Sequence, residues 1–334
     1  MPALADEIDA LAAEGFSGVV RVDRDGETGF AKAYGLADRA HGIPNRVDTQ
    51  FGTASGTKSL TALAVVSLIA ESTLELTTTA RSMLGNDLPL VDDRVTVEQL
   101  LAHRSGIGDY LDEETDLDFD DYLMPVPVQN LATTEQYLAV LEGHPQKFQP
   151  DERFAYCNSG YVVLALIAER ASGVPYHELV QQRVTGPAGM DDTRFLRSDE
   201  LPERAALGYL GRDGLRTNVF HLPVRGNGDG GAYTTAADVA ALWRALFAGE
   251  IVSNEWVAEM IRPRSDTAGG ERYGLGFWLP RDGLVQIRGG DTGVSFSSMR
   301  DPATSTTCTV LSNMATGAGP IRALLDELLS GERA

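Results

Sequence analysis

Lysine is nearly absent from this chain. Only Lys32, Lys58 and Lys147 stand among 28 basic residues, so arginine serves almost wherever a surface cation is wanted. A lysine inside a motif is therefore more informative than usual. Positive charge as a whole is scarce: 48 acidic residues leave a formal net charge of −20 and a pI near 4.6. That balance excludes a nucleic-acid partner, because such binding draws most of its affinity from Lys and Arg neutralising phosphates. It also disfavours an anionic membrane surface. Two cysteines, Cys157 and Cys308, are too few for a disulfide framework. The longest apolar run, residues 60–70, is interrupted by Thr61 and Ser67 and is too short to span a bilayer. The first residues, MPALADEIDALAAEGF, carry acids where an export signal carries positive charge; they read as a surface helix of a cytoplasmic protein. The five histidines, His41, His103, His144, His177 and His221, form no His-Glu-x-x-His, and no Cys-x-x-Cys occurs, so neither a metal site nor a cofactor is expected. A Gly-x-Ser-x-Gly elbow is missing too, which removes the main Ser-His-Asp arrangement.

What is present is enough apolar residue, 43% of 334, to bury one large domain or two lobes. SGVVRVDRDGETGFAKAYGLAD reads as two strands around an Asp-Gly turn, and LVQIRGG, GVSFSSMRDP and TSTTCTVLSN read as further strands near the other end. GPIRALLDELL closes the chain as a helix. Between them the pattern is mostly helical (TALAVVSLIAE, VTVEQLLAH, GYVVLALIAERA, AADVAALWRALFAG). The expected fold is α/β: an antiparallel sheet built from both termini with flanking helices, residues 1–58 plus 263–334, and an inserted, mainly helical lobe, residues 59–262, together one unit of 1–334. The acidic run 112–121, DEETDLDFDD, lacks the spacing of an EF-hand and reads as a solvated loop.

The stretch FGTASGTKSL admits two readings. As a phosphate-binding loop it fails, because Thr57 stands where a glycine must precede the lysine and no hydrophobic strand feeds it. As Ser-x-x-Lys it places Ser55 at the start of an amphipathic helix with Lys58 one turn on and on the same face. A helix N-terminus favours negative charge developing on oxygen and offers free N–H groups to an oxyanion. Taken alone, Ser55 could equally be an N-cap. A second motif, Tyr156-Cys157-Asn158, precedes another helix and could bring a phenol and an amide to the serine; alone it would read as a buried tyrosine beside a polar turn.

Together these segments resemble a known family. FGTASGTKSLTALAVVSLIAES, VTVEQLLAHRSGIGDY, FQPDERFAYCNSGYVVLALIAERASGVPY, GPAGMDDTRF, GDGGAYTTAADVAALWRAL and YGLGFW are similar, in order and spacing, to the serine β-lactamase, penicillin-binding protein and related esterase superfamily, in its class C-like branch, which includes D-aminopeptidases. The resemblance implies a β-lactamase-like fold with Ser55 as nucleophile, Lys58 as its activating amine, Tyr156 as general base and later acid, and Asn158 as a ligand for substrate or Lys58. It also implies that a phenol near two cations has its pKa lowered enough to take the serine proton. His103, in AHRSG, falls in a structural turn.

The family's third motif, Lys-Thr-Gly or His-x-Gly on an edge strand, is where the chain departs. In IRGGDTGVSFSS, Arg288-Gly289-Gly290 puts a permanent cation at the first position, while Asp291-Thr292-Gly293 would put an acid there. The Arg288 register is preferred, since a cation can stabilise a phenolate or dock a carboxylate. In it Gly290 supports the site, and the backbone N–H of Asp291 joins that of Ser55 as an oxyanion hole. The resemblance implies a serine hydrolase acting through an acyl-enzyme on small esters or amides. A β-lactamase, a D-amino-acid peptidase or amidase, an acyltransferase, or a non-catalytic binding protein of the same fold are the alternatives.

Overall fold

The computed structural model describes residues 2–115, 122–280 and 283–331. Its centre is an eight-stranded antiparallel sheet. The spatial order runs Glu27–Tyr34, Gly18–Arg24, Thr306–Ser312, Val294–Asp301, Val285–Asp291, Trp278–Leu279, Arg272–Tyr273, Ser265–Asp266. The first hairpin forms as its sequence requires. Asp25 and Gly26 both have positive φ, 52° and 82°, which suits the tight turn that matches strand twist. The N-terminal strand then pairs with the last one, Gly18 opposite Ser312 and Val20 opposite Val310, so the sheet is closed by residues from both ends of the chain.

Both faces of the sheet's central strands are covered, so Val294–Asp301 and Thr306–Ser312 are buried almost throughout, their serines and threonines included. On one face Val20, Val22, Met299 and Val310 pack against the terminal helices Pro2–Ala13 and Ala318–Gly331. On the other, Val19, Ile287, Phe296 and Leu311 join a larger core with the helices Thr57–Ala70, Asn158–Ser172 and Ala236–Ala248. No described helix is long and apolar enough to cross a membrane.

The Thr57–Ala70 helix corrects one sequence expectation. It is not amphipathic with a wet face: every residue from Thr57 to Ile69 is buried. Its polar residues are satisfied by carbonyls of distant segments, Ser59 Oγ donating to Gly276 O at 2.6 Å and Thr61 Oγ1 to Gly228 O at 2.6 Å. Gly276 must be glycine, with φ +87° and a Cβ that would fall 2.3 Å from the Ala62 Cβ. The helix is thus an axle packed on every side, and Ser55 lies just before its N-terminal end. Of the acidic run, residues 116–121 lie outside the described residues. Asp112 and Glu114 are ion-paired with Lys147, and Glu114 also with Arg153.

Leu63, fully buried on this helix, tests the axle directly. Leu63→Ala is expected to lower the unfolding free energy by about 2–5 kcal/mol, read from the shift of a denaturant midpoint at constant slope. A loss within the roughly 0.5 kcal/mol typical of surface changes would contradict the all-round burial.

Candidate active site

Ser55 is presented by a strained turn. The strand Phe51–Gly52 pairs with Tyr233–Thr234, and the chain then turns through Ala54, whose φ of +45° is left-handed. Such a conformation costs an alanine on the order of 1 kcal/mol or more, so something must hold it. Thr53 Oγ1 donates to Ala232 O at 2.9 Å, Thr57 Oγ1 donates to Ala54 O at 2.9 Å, and the Ala232 N–H donates to Thr57 Oγ1 at 3.0 Å. Residues 54–56 form a 3-10 turn and the α-helix begins at Thr57, with no side-chain cap. Ser55 is therefore not an N-cap. Its Oγ accepts a hydrogen bond from Lys58 Nζ at 3.0 Å.

Lys58 is 2% exposed and all three of its donors are used, on Ser55 Oγ, on Asn158 Oδ1 at 2.7 Å and on the Asp229 carbonyl at 2.7 Å. That is the full donor complement of an ammonium. Asn158 is aimed by its other end, Nδ2 donating to Leu111 O at 2.9 Å and to Glu113 Oε1 at 3.1 Å. The helix it opens is anchored by Asp109, whose carboxylate accepts from the backbone N–H of Asn158 (2.7 Å) and Ser159 (2.9 Å). Tyr156, just before this helix, brings its hydroxyl to Ser55 and lies with its ring 4.9 Å from Lys58 Nζ. Its ring is wedged between His103, 4.4 Å away, and Trp278, stacked at 5.9 Å. His103 is structural as expected, accepting the Cys157 N–H on Nδ1.

One electrostatic expectation is reversed. The Tyr156 phenol is not acidified: burial, with the nearby Glu113 and Asp229 carboxylates, holds its pKa well above 10, outweighing the lowering influence of Ser55 and Arg288. Tyr156 rests as a neutral phenol.

The third element is the Val285–Asp291 strand, which pairs with Trp278 at Gln286 and beyond that point runs beside the Ser55 turn. Gly289, given no part by sequence reasoning, is the glycine that geometry demands: a Cβ there would lie 2.1 Å from Thr53 O and 2.7 Å from the Ser55 and Gly56 nitrogens. Gly290 faces open space, where a Cβ would meet nothing within 4 Å. Arg288 does reach the site, since it shares a cleft of about 1050 Å³ with Ser55, Tyr156, Trp278, Gly290 and Asp291. Its guanidinium is already engaged, paired bidentately with Glu271 (2.9 and 2.8 Å) and lying 3.7 Å over the Trp278 ring. Sequence reasoning missed Asp109, Tyr110, Glu113, Asp229, Glu271 and Trp278. All come from loops or short strands and carry no local pattern.

The Beta-lactamase family model matches residues 4–330. The chain belongs to the beta-lactamase family. It is 31% identical over 288 residues to Esterase EstB of Burkholderia gladioli, covering 78% of this chain and 72% of that one. It is 29% identical over 267 residues to the putative penicillin-binding protein PbpX of Bacillus subtilis, covering 79% of this chain but only 62% of the relative's length. The solved structure of a penicillin binding protein from Bacillus halodurans superposes with a TM-score of 0.90 at 34% identity, over 97% of this chain and 99% of that one. The beta-lactamase family thus spans penicillin-binding proteins, esterases and, among further relatives, D-aminopeptidases.

Acids crowd the floor of the site, with Asp229 buried and Asp291 partly so. Burial pushes the Asp291 carboxyl up to about 7, with Asp229 and Glu113 adding to the effect against the Thr292 N–H bond and Lys58. Burial likewise raises Asp229, opposed by Lys58 and Tyr110. The folded state therefore binds an extra proton at Asp291 between pH ~4 and ~7, and stability contributed by the neutral form is lost as pH rises through that window. Asp291→Asn is expected to gain stability relative to wild type as pH is raised from about 4 to about 8, read from paired denaturant midpoints. A difference that stays constant over that range would contradict the assignment.

Proposed function

We propose that this protein is a serine hydrolase of small esters or amides, with Ser55 as the nucleophile and a covalent acyl-enzyme as intermediate. The observation that carries the reading is the convergence of Lys58 Nζ and the Tyr156 hydroxyl on one serine oxygen at the end of a buried helix. Ser55 Oγ attacks the substrate carbonyl carbon. Because Tyr156 rests protonated, it takes the Ser55 proton as it passes its own to the leaving oxygen or nitrogen, so the C–X bond breaks as the ester to Ser55 forms and charge is conserved. Deacylation runs the same relay, from water to Tyr156 and from Tyr156 to Ser55 Oγ. Lys58, fixed by Asn158, stabilises negative charge on the serine oxygen through every step. The backbone N–H groups of Ser55 and Asp291 receive the oxyanion, in the Arg288 register.

Esters are the favoured substrates over β-lactams. A β-lactam antibiotic needs a cation for its carboxylate, and the guanidinium offered by the altered third motif is held by Glu271. The similarity to a named esterase supports the same choice. Amide cleavage is the second reading, supported by similarity to D-aminopeptidases.

Purified protein is expected to hydrolyse p-nitrophenyl butyrate much faster than a chromogenic cephalosporin, with the ester activity lost in Ser55→Ala. Lys58→Ala and Tyr156→Phe should each lower kcat by roughly a hundredfold or more, the scale of general acid-base groups, with far-UV circular dichroism unchanged. Efficient cephalosporin turnover with negligible Ser55-dependent esterase activity would make β-lactamase the better reading, and near-normal kcat in Tyr156→Phe would remove the relay.

A further inference from the structure

A second cavity, of about 480 Å³, shares no lining residue with the cleft that holds Ser55. Its apolar wall includes Leu60, Val180 and Phe195, and its polar wall Arg194, Arg225 and His177. That volume falls in the range of a small-molecule site. The two arginines stand out by their charge balance. Arg225, half-buried, donates through Nε to Phe195 O at 3.0 Å, and Arg194 through Nη1 to Thr193 O at 2.7 Å. Among the described residues neither has a carboxylate at ion-pair distance. Arg197, which pairs backbone to backbone with Arg225, does have acids, Asp199 at 2.8 Å and Glu200 at 3.8 Å. Glu178, the one acid on the cavity wall, accepts from Gln182 at 2.8 Å. In a chain whose acids outnumber its bases 48 to 28, two guanidiniums lining one cavity without a carboxylate are a local reversal of sign. Neighbouring groups feel it. Arg197 adds to burial in lowering the pKa of Arg225, and Arg225 adds to burial in pushing His177 down to about 4. His177 is thus neutral, its Nε2–H donating to Gly226 O at 2.8 Å.

We propose that this cavity is a second binding site, for a small organic oxyanion: a carboxylate or phosphate joined to an apolar body. It goes beyond the hydrolase reading and does not depend on it. The terminal nitrogens of Arg225, which have no hydrogen bond among the described residues, join those of Arg194 in offering the planar fork that suits carboxylate and phosphate oxygens. A half-buried guanidinium whose acceptor is a single carbonyl gains most from such a partner, because burial has already removed much of the water that would hold its charge. The apolar body packs on Leu60, Val180 and the Phe195 ring, itself seated 4.7 Å from the His177 ring. A cation is repelled by both arginines, and a neutral molecule of the same shape leaves them unpaired.

Phenyl phosphate and benzoate present the two oxyanions on one apolar ring, and benzyl alcohol presents the ring without charge. Calorimetry on the full chain is expected to show at least one of the anions binding, one per chain, and no binding of benzyl alcohol; the tighter anion identifies the oxyanion. Arg225→Gln and, separately, Arg194→Gln, at an exposed position that the fold does not need, should each weaken binding roughly tenfold or more, the scale of a hydrogen bond to a charged group. Arg225→Lys should keep part of it. Imidazole NMR places the ligand. The His177 signal, assigned by its loss in His177→Asn, should move on titration, while that of His103, packed on Tyr156 in the catalytic cleft, stays in place. Failure of both anions to bind, binding that survives both glutamine substitutions, or a shift at His103 in place of His177 would overturn the proposal. Binding reported by His177 in a protein that turns over no ester would keep this site and sink the hydrolase reading alone.

Discussion

Everything in the site hangs on where a buried ammonium finds its acceptors. Lys58 is almost without solvent, and an uncompensated charge at such depth costs several kcal/mol. It is held by three oxygens from three separate parts of the chain: the turn before its own helix, the start of the Asn158–Ser172 helix, and the loop carrying Asp229. Satisfying Lys58 therefore fixes the nucleophile, the Tyr-x-Asn segment and the inner wall against one another. The stiffness of the axle helix and the pinned turn at Ala54 follow from the same demand, since a sliding or fraying helix end would leave that charge unpaired.

The acids around the site pull the other way. Asp109 works for the fold, capping the Asn158 helix with two backbone bonds, and burial still raises its carboxyl to about 6. Asp291 accepts the Thr292 N–H, and burial still raises its carboxyl to about 7. The Glu271–Arg288–Trp278 arrangement adds a second constraint: stacked on Tyr156, it sets the ring that carries the hydroxyl onto Ser55.

Much of the fold was legible because it is written locally. The Asp-Gly hairpin, the C-terminal strands and the long helices follow from turn chemistry and periodicity, and Ser55, Lys58, Tyr156 and Asn158 do meet in space. What was not legible depends on long-range partners. Ser59 and Thr61 look like a polar face until carbonyls from Gly276 and Gly228 are brought to them. Arg288 looks like a free cation until Glu271 closes it, and a phenol beside two cations looks acidic until its burial and the neighbouring Glu113 are counted. Gly289 and Gly290 are indistinguishable in sequence, and only the approach of the Ser55 turn shows which of them cannot bear a side chain.

The central claim is that Ser55 is the residue acylated. Intact-mass spectrometry after treatment with a fluorophosphonate, followed by peptide mapping, tests it without assuming a substrate. One adduct per chain on the peptide bearing Ser55, absent from Ser55→Ala, is the result expected. A label on another serine, or none on a preparation that hydrolyses esters, would contradict the account.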